Sequence, residues 1–331
     1  MGARRCSRVG LPHGRRRGGA ETVVVAGAIA TRRTRFPMAQ AAGDNDSFDR
    51  AIGAAINSVR GAATTAIAPL LFAHAARMEL LGGAVDAIVR DAALSVRAVA
   101  ALPLLAILRD DESKSLELFN ILCEKAAPIL GSQHIEEYLH HAIYRSYESV
   151  RPILVRMLES DGAAARRAAA RQVCLAALHD GPSRETAMKD AARVEGGDTA
   201  MRGAAAEIYA KNCSHRDVAE QCVSNLPRFF DDEEEGVRRT AALCFRRLDA
   251  DHLAEPEGLV GAFAGSAAFL HSSTPLLFQL KSMPTPASID SPAGREGSWY
   301  VGSRSRRHQH LIGWRRRNTL RIGRPVLRSV K

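Results

Sequence analysis

A pattern of arginine, alanine and one larger apolar residue recurs along the middle of this 331-residue chain. The recurring arginines are separated by 37, 69, 36 and 36 residues, and 69 is close to two periods. The equivalent pairs are Val59-Arg60, Val96-Arg97, Ala165-Arg166, Met201-Arg202 and Val237-Arg238. A period of about 20–50 residues is typical of repeat architectures, in which each unit stacks on its neighbours. One repeat, expected near residue 132, lacks the pattern.

The similarity between repeats extends beyond the arginine. Alanine follows it three residues later in all five repeats, at Ala63, Ala100, Ala169, Ala205 and Ala241. A small residue follows after four, at Thr64, Ala101, Ala170, Ala206 and Ala242. A larger apolar residue follows after seven, at Ile67, Leu104, Val173, Tyr209 and Phe245. Offsets of three, four and seven residues share one face of an α-helix, where small side chains allow another helix to approach closely.

An acid or amide precedes each arginine at a variable spacing, at Asn57, Asp91, Asp161, Asp198 and Asp232. We predict that its side-chain oxygen caps the helix that follows. The planar guanidinium fork of the arginine can reach the aspartate of a neighbouring repeat or loop carbonyls. The predicted structural ladder consists of Arg60, Arg97, Arg166, Arg202, Arg238, Asp91, Asp161, Asp198 and Asp232.

Between these helices the chain shows further segments with apolar residues at three- and four-residue steps. The predicted partner helices span residues 78–90, 113–126, 183–194, 215–230 and 252–270. Turn residues such as Asp180-Gly181-Pro182 separate them from the arginine-bearing helices. Abundant alanine and only 5% aromatic residues also favour an all-α fold. We therefore predict an α-α superhelix (solenoid) of five or six repeats over residues 46–270.

Over residues 57–269 the chain resembles HEAT-repeat proteins, through the recurring Asp…Val-Arg-x-x-Ala-Ala signature. More narrowly, it is similar to the HEAT-rich C-terminal region of large bacterial STAND-type P-loop NTPases, some of which act in defence against phage. The stretches that carry this resemblance are residues 96–119, 146–158, 201–212, 231–248 and 265–269. The resemblance implies repeats that sense or hold a protein partner on which an NTPase module acts. It confers no nucleotide site, because G-x-x-x-x-G-K-[ST] is absent from the chain.

Basic charge is concentrated at the two ends of the chain. Residues 1–50 carry a net charge of +6 and residues 281–331 carry +10, whereas residues 51–280 carry −6. A nucleic-acid partner is therefore expected through the basic tails only. Residues 1–45 and 271–331 are predicted to be disordered; Trp299, Tyr300 and Trp314 in the second tail could stack bases. A basic tail and sequence from a non-native reading frame both remain open, and we expect the chain to be part of a longer helical protein.

The apolar runs and the cysteine spacing of the chain bear on its localisation. No apolar run approaches the length of a membrane span, about 18 residues. The apolar stretch at residues 23–30 is short and is followed at once by arginines, which disfavours a secretory signal. Six cysteines are scattered without C-x-x-C spacing, as expected for core residues in a reducing cytoplasm. We predict a cytoplasmic protein without a membrane partner.

Three clusters resemble chemical sites, and each has a simpler interpretation. His134, His140 and His141 lack the H-E-x-x-H spacing and fit a solvated helix face. Cys213, His215 and Cys222 lack a fourth zinc ligand. The acidic run 231–235 precedes a helix, where negative charge is favourable. We therefore predict no catalytic residue, cofactor or metal.

The leading hypothesis is a non-catalytic protein–protein interaction scaffold, with a protein partner. The alternative is a nucleic-acid-binding protein that uses its basic tails or acts by analogy to the HEAT-like alkylpurine DNA glycosylases. A third hypothesis is a repeat-type enzyme similar to the HEAT-like phycobilin lyases, although no nucleophile–base pair stands out.

Overall fold

A computed structural model describes residues 51–124, 127–246, 256–274 and 276–277 of the chain. Within these residues all regular secondary structure is helical and no strand occurs, which confirms the all-α class. The predicted disorder of residues 1–45 and most of the predicted tail 271–331 lie outside the described residues.

The described residues include thirteen α-helices. The first seven are α1 (Val59–Ala73), α2 (Met78–Val89), α3 (Leu94–Asp110), α4 (Glu112–Glu124), α5 (Gln133–Leu158), α6 (Ala163–Leu178) and α7 (Arg184–Glu195). The remaining six are α8 (Thr199–Asn212), α9 (Ala219–Asn225), α10 (Pro227–Phe230), α11 (Glu235–Ala242), α12 (Pro256–Ala264) and α13 (Ala267–Ser272). Short 3-10 turns adjoin them at Ala75–Arg77, Ala127–Ile129 and Leu243–Arg246.

The helices that carry the recurring arginines, together with α5, pack one against the next in chain order. Helix α1 packs on α3, α3 on α5, α5 on α6, α6 on α8, and α8 on α11, which contacts α13. The intervening helices α2, α4, α7 and α9 connect these members along the chain. We call the first set the arginine row and the second set, together with α10 and α12, the partner row. The main packing partners of each helix are thus its near neighbours in sequence.

Alanine makes this close packing possible. Ala168, Ala169 and Ala170 of α6 are fully buried, as are Ala205 and Ala206 of α8. Side chains without γ-atoms let two helix backbones approach, and they lose no rotamer freedom on burial. Larger residues one turn later fill the remaining space: Leu104, Val173, Tyr209 and Phe245 are at most 1% exposed. One continuous hydrophobic cluster results, running from Ala63 to Leu276.

Helix α5 occupies the part of the chain in which the repeated sequence pattern is absent. Its 26 residues bend at Ser146, whose φ of −150° and ψ of 70° are not helical. Before the bend, α5 packs in the arginine row; after it, Arg156 Nη2 donates to the Cys123 carbonyl of α4 at 2.8 Å and Arg151 binds Asp190 of α7. Where the repeat near residue 132 was expected, the chain therefore forms two helical segments joined by a kink instead of a loop.

Two predicted partner helices are divided in the structure. Residues 215–230 form α9 and α10, and Pro227 stands at the first position of α10, where its missing N–H does no harm. The predicted helix 252–270 is described from residue 256, as α12 and α13 separated at Gly265-Ser266, while residues 252–255 lie outside the described part. Helix α13 ends at Ser272, slightly beyond the predicted limit of Leu270.

Candidate functional site: an interrupted arginine–aspartate ladder

The arginines of the arginine row bind aspartates that precede the next helix of that row. In the first such contact, Arg60 Nη1 of α1 lies 2.6 Å from Asp91 Oδ2, in the loop before α3. The two side chains are only 11% and 9% exposed. Asp91 also accepts a hydrogen bond from the Ala93 backbone N–H at 2.8 Å. One carboxylate therefore both orders the loop and ties α1 to the following repeat.

The same contact joins α6 to α8. Arg166 Nε lies 2.5 Å from Asp198 Oδ2, and Arg166 Nη1 donates to the Ser160 carbonyl at 2.6 Å. The Nε–H of Arg166 does not point at Asp198 Oδ2, so this contact is an ion pair without a directed hydrogen bond. Asp198 is the N-cap of α8 and accepts from the Met201 N–H at 3.0 Å. The aspartate here caps the helix and meets the arginine of the preceding repeat.

The contact is most extensive between α8 and α11. Arg202 donates from Nε and Nη2 to the two oxygens of Asp232, at 2.7 and 3.2 Å, and from Nη1 to the Gly197 carbonyl at 2.8 Å. Its Nη2 also donates to Glu233 at 2.7 Å. Hydrogen bonding to Asp232 raises the pKa of Arg202. Asp232 is 6% exposed in its side chain, so Arg202 neutralises a nearly buried charge.

The last arginine of the row makes a different contact. Arg238 of α11 donates to the backbone carbonyls of Asp232 and Glu233, at 2.5 and 2.9 Å. It therefore fastens the loop before its own helix, as Arg166 and Arg202 also do with Ser160 and Gly197.

The ladder is interrupted at α5. Arg97, Arg166 and Arg202 are each the fourth residue of their helix, and the fourth residue of α5 is Glu136. Asp161, which follows α5, makes no ion pair with any residue in the described part of the chain. The sequence therefore has an aspartate at this rung, but the preceding helix has a glutamate at the position where the other helices have an arginine.

The loop before α5 also lacks an acid, and one position in it has no room for any side chain. Gly131 stands two residues before α5, as Asp161 does before α6. A Cβ on Gly131 would lie 2.8 Å from both Ala164 C and Ala165 N, which is closer than van der Waals contact allows. No carboxylate-bearing side chain fits there. Burial lowers the pKa of Arg97. The negative charge of Asp91, in the loop before the same helix, opposes this effect only in part.

A second chain of charges crosses the interruption. Arg171 of α6 donates from Nε and Nη2 to the two oxygens of Glu136, both at 2.6 Å, and its Nη1 lies 3.4 Å from Glu207 of α8. Glu207 in turn binds Lys211 one turn on. Burial alone would lower the pKa of Arg171, but the two carboxylates raise it. Glu136 therefore connects α5 to the next repeat with the sign of the charges reversed.

The capping prediction is confirmed at Asp198 and wrong at the other four positions. The N-cap residues of α3, α6 and α11 are Ala93, Gly162 and Glu234, not Asp91, Asp161 and Asp232. It is also wrong at Asn57. The N-cap of α1 is Ser58, whose Oγ accepts from the Gly61 N–H at 3.0 Å. The Asn57 side chain instead donates to the Gly53 carbonyl at 2.8 Å. An amide nitrogen can close a turn that a carboxylate cannot, because a carboxylate has no hydrogen to donate.

The clusters weighed for metal or acid–base chemistry have structural contacts. His134 and His140 are half-buried on α5, so the predicted solvated face holds only for His141; burial lowers the pKa of both His140 and His141. Cys213 and Cys222 are fully buried, whereas His215 is exposed. Burial raises the pKa of the Cys123 and Cys222 thiols to about 12, which suppresses the reactive thiolate. In the described part of the chain, no three His, Cys, Asp or Glu residues are placed to hold a metal ion.

The acidic run before α11 is used structurally. Asp232 accepts from Arg202 and from the Glu234 N–H, and Asp231 Oδ1 accepts from the Ala267 N–H of α13 at 2.8 Å. Two of its members thus join successive repeats. Trp299, Tyr300 and Trp314 lie outside the described residues.

A buried contact that the sequence pattern does not predict lies at the bend of α5. Asp190 of α7 accepts from the Tyr147 hydroxyl at 2.8 Å and from Arg151 Nε and Nη2 at 2.7 and 2.9 Å. Burial alone would raise the pKa of Asp190, but these donors hold it below its usual value. The contact fixes the second half of α5 on the partner row. No local sequence signal marks it, since the partners are about 40 residues apart.

No protein-family model matches the chain, and no curated protein or solved structure is similar to it. Among the helices of the described residues, none combines the length and the apolarity that crossing a bilayer requires.

Proposed function

We propose that the chain is a non-catalytic protein–protein interaction scaffold made of HEAT-type repeats, stacked as an α-α solenoid. The observation that carries the proposal is the ladder: Arg60, Arg166 and Arg202 each bind an aspartate that starts the following repeat, 30 to 32 residues on. A contact repeated at one period, together with packing between neighbours in sequence, is what a stack of equivalent units requires. Such stacks offer extended binding surfaces. We place the protein in the cytoplasm, where buried free cysteines such as Cys123 stay reduced.

Two measurements test this proposal on the full chain. Small-angle X-ray scattering should give an elongated particle, because repeats added along an axis increase length without increasing width. Chemical cross-linking in lysate, followed by mass spectrometry, should recover a specific protein joined to the described residues, and prior heat unfolding of the chain should abolish the cross-links. A compact particle would contradict the solenoid, and cross-links that survive unfolding would contradict specific binding.

The second candidate is nucleic-acid binding, favoured by the net charges of +6 and +10 at the two ends. Counterion release makes such binding steeply salt-dependent. Filter binding of the full chain to single-stranded DNA should then weaken strongly as salt increases, and replacing Arg315, Arg316 and Arg317 by glutamine should flatten that dependence. Affinity that is unaffected by the triple replacement would remove the tail from this role.

A further inference from the structure

A shallow cleft with a volume of about 30 Å³ lies beside the bend of α5, between α5, the end of α6 and the start of α7. Tyr144 and Arg145 line it before the bend and Tyr147 lines it after the bend, with His179 and Arg184 on the opposite wall. Places where a repeating structure departs from its own pattern are where function is expected.

The lining of the cleft carries basic charge. The charge comes from Arg145 and Arg184, and no Asp or Glu is among the lining residues. Carboxylates nevertheless contact the lining residues: Glu112 is 4.0 Å from Arg145, Asp180 is 3.6 Å from Arg184 and 97% exposed, and Asp190 accepts from the Tyr147 hydroxyl. Exposed ion pairs of this length contribute little, so they offer weak competition to a bound anion.

Both arginines are held in place but keep hydrogen-bond donors for a ligand. Arg145 Nη1 donates to the Leu108 carbonyl at 3.1 Å, and Arg184 Nη2 donates to Gln221 Oε1 at 3.1 Å. A guanidinium has five N–H donors, so each retains others. The side chains are 45% and 43% exposed, which leaves those donors accessible.

The aromatic ring between them is also positioned. Tyr144 packs edge-to-face on His179 at 5.0 Å and on His140 at 5.3 Å, and it remains 40% exposed. A fixed, exposed tyrosine beside arginines is a composition enriched where binding energy concentrates at interfaces. Its ring can cover the methylene groups of a side chain whose carboxylate meets the arginines.

We propose that this cleft docks an acidic peptide segment of a protein partner, with glutamate or aspartate side chains between Arg145 and Arg184. Residues 51–280 carry a net charge of −6, so within this part of the chain most of the surface disfavours such a segment and the two arginines of the cleft favour it. The inference rests on the proposed scaffold function and names one of its binding sites.

The test is fluorescence anisotropy with the full chain and a fluorescein-labelled hexaglutamate peptide, with hexalysine as the reversed-charge probe. The double variant Arg145→Gln/Arg184→Gln should weaken hexaglutamate binding by about tenfold or more, because two charge-assisted contacts are lost. Tyr144→Ala should weaken it without any change in charge. The matched control is Arg216→Gln/Arg239→Gln, which removes two exposed arginines that do not line the cleft and should change affinity by less than about twofold.

Equal weakening by the two double variants would overturn the proposal, as would absence of hexaglutamate binding or equal binding of hexalysine. Circular dichroism of each variant separates lost binding from lost folding, and Arg184→Lys, which keeps the charge, should retain an intermediate affinity. If lysate cross-linking still recovers a specific partner while hexaglutamate does not bind, the cleft assignment fails and the scaffold function stands. If hexaglutamate binds as described but no protein is recovered, the scaffold function fails.

Discussion

Helices α6 to α11 and helices α3 to α5 follow one repeating pattern but are joined to their neighbours by different charges. In the first region Arg166 and Arg202 each reach the aspartate of the next repeat. In the second, Gly131 leaves no space for an acid and Glu136 replaces the arginine, so the next repeat supplies the cation, Arg171. Hydrophobic packing between successive helices therefore persists where the arginine–aspartate contact is absent. A different ion pair, between Glu136 and Arg171, forms there instead.

The largest difference should come from the core of the irregular region. Leu139 stands where the other repeats have alanine three residues after the arginine, and it is fully buried. Leu139→Ala should lower the free energy of unfolding by about 2–5 kcal/mol, because it leaves a cavity. The reverse change in the regular region, Ala205→Leu, should cost about 1–3 kcal/mol through overpacking. Urea unfolding followed by circular dichroism measures both; a neutral Leu139→Ala would show that α5 is not packed at the equivalent position.

The ladder contact in the regular region should have the next largest effect. Arg202→Ala removes the donors that bind Asp232, whose side chain is 6% exposed, and should lower stability by about 1.5–3 kcal/mol. The control is Arg239→Ala on α11, where a 68% exposed arginine lies 3.9 Å from Glu235 and should contribute less than about 0.5 kcal/mol. Thermal melting of both variants measures how much each arginine contributes to stability. Indistinguishable melting temperatures would mean that the ladder contributes nothing to stability.

The reversed contact is expected to be weaker. A double-mutant cycle with Glu136→Gln and Arg171→Gln should give a coupling free energy of about 1 kcal/mol, since both side chains are less than a quarter exposed and bonded twice. The comparison pair is Arg193 and Glu159, which are 52% and 56% exposed and should couple by less than about 0.5 kcal/mol. A coupling no larger than that of the exposed pair would refute the idea that Glu136 compensates for the missing rung.

The smallest expected effect is pH-dependent and confined to α5. Burial lowers the pKa of His140 and His141 in the folded protein. The unfolded chain therefore takes up protons first as pH falls, so stability is full above a pH of about 6.5 and decreases below it. His140→Asn should reduce the drop in melting temperature between about pH 7.5 and about pH 5.5. His215→Asn, at an exposed position, should leave that drop unchanged, and an equal response of the two variants would contradict a role for burial.

The sequence by itself determined the helices and their order, because both depend on local properties. Alanine content and apolar spacing predict the helices that carry the recurring arginines. They also predict three partner helices nearly to the residue, such as α2 at Met78–Val89. The positions of Arg202 and Asp232 also follow from the period, since a contact between equivalent positions repeats whenever the repeat does. Near residue 132 the recurring arginine and alanines are absent from the sequence, but the chain still forms a helix there, α5.

Tertiary structure decided what happens at that repeat. The bend at Ser146, the approach of Gly131 to Ala164 and the pairing of Glu136 with Arg171 depend on backbones that are distant in sequence. The cleft beside Tyr144 has the same origin, because its opposite walls are about 40 residues apart. Local propensity specifies a helix, but it carries no information about which neighbour the helix meets. That choice is made when apolar faces are buried together and the remaining charges find partners within reach.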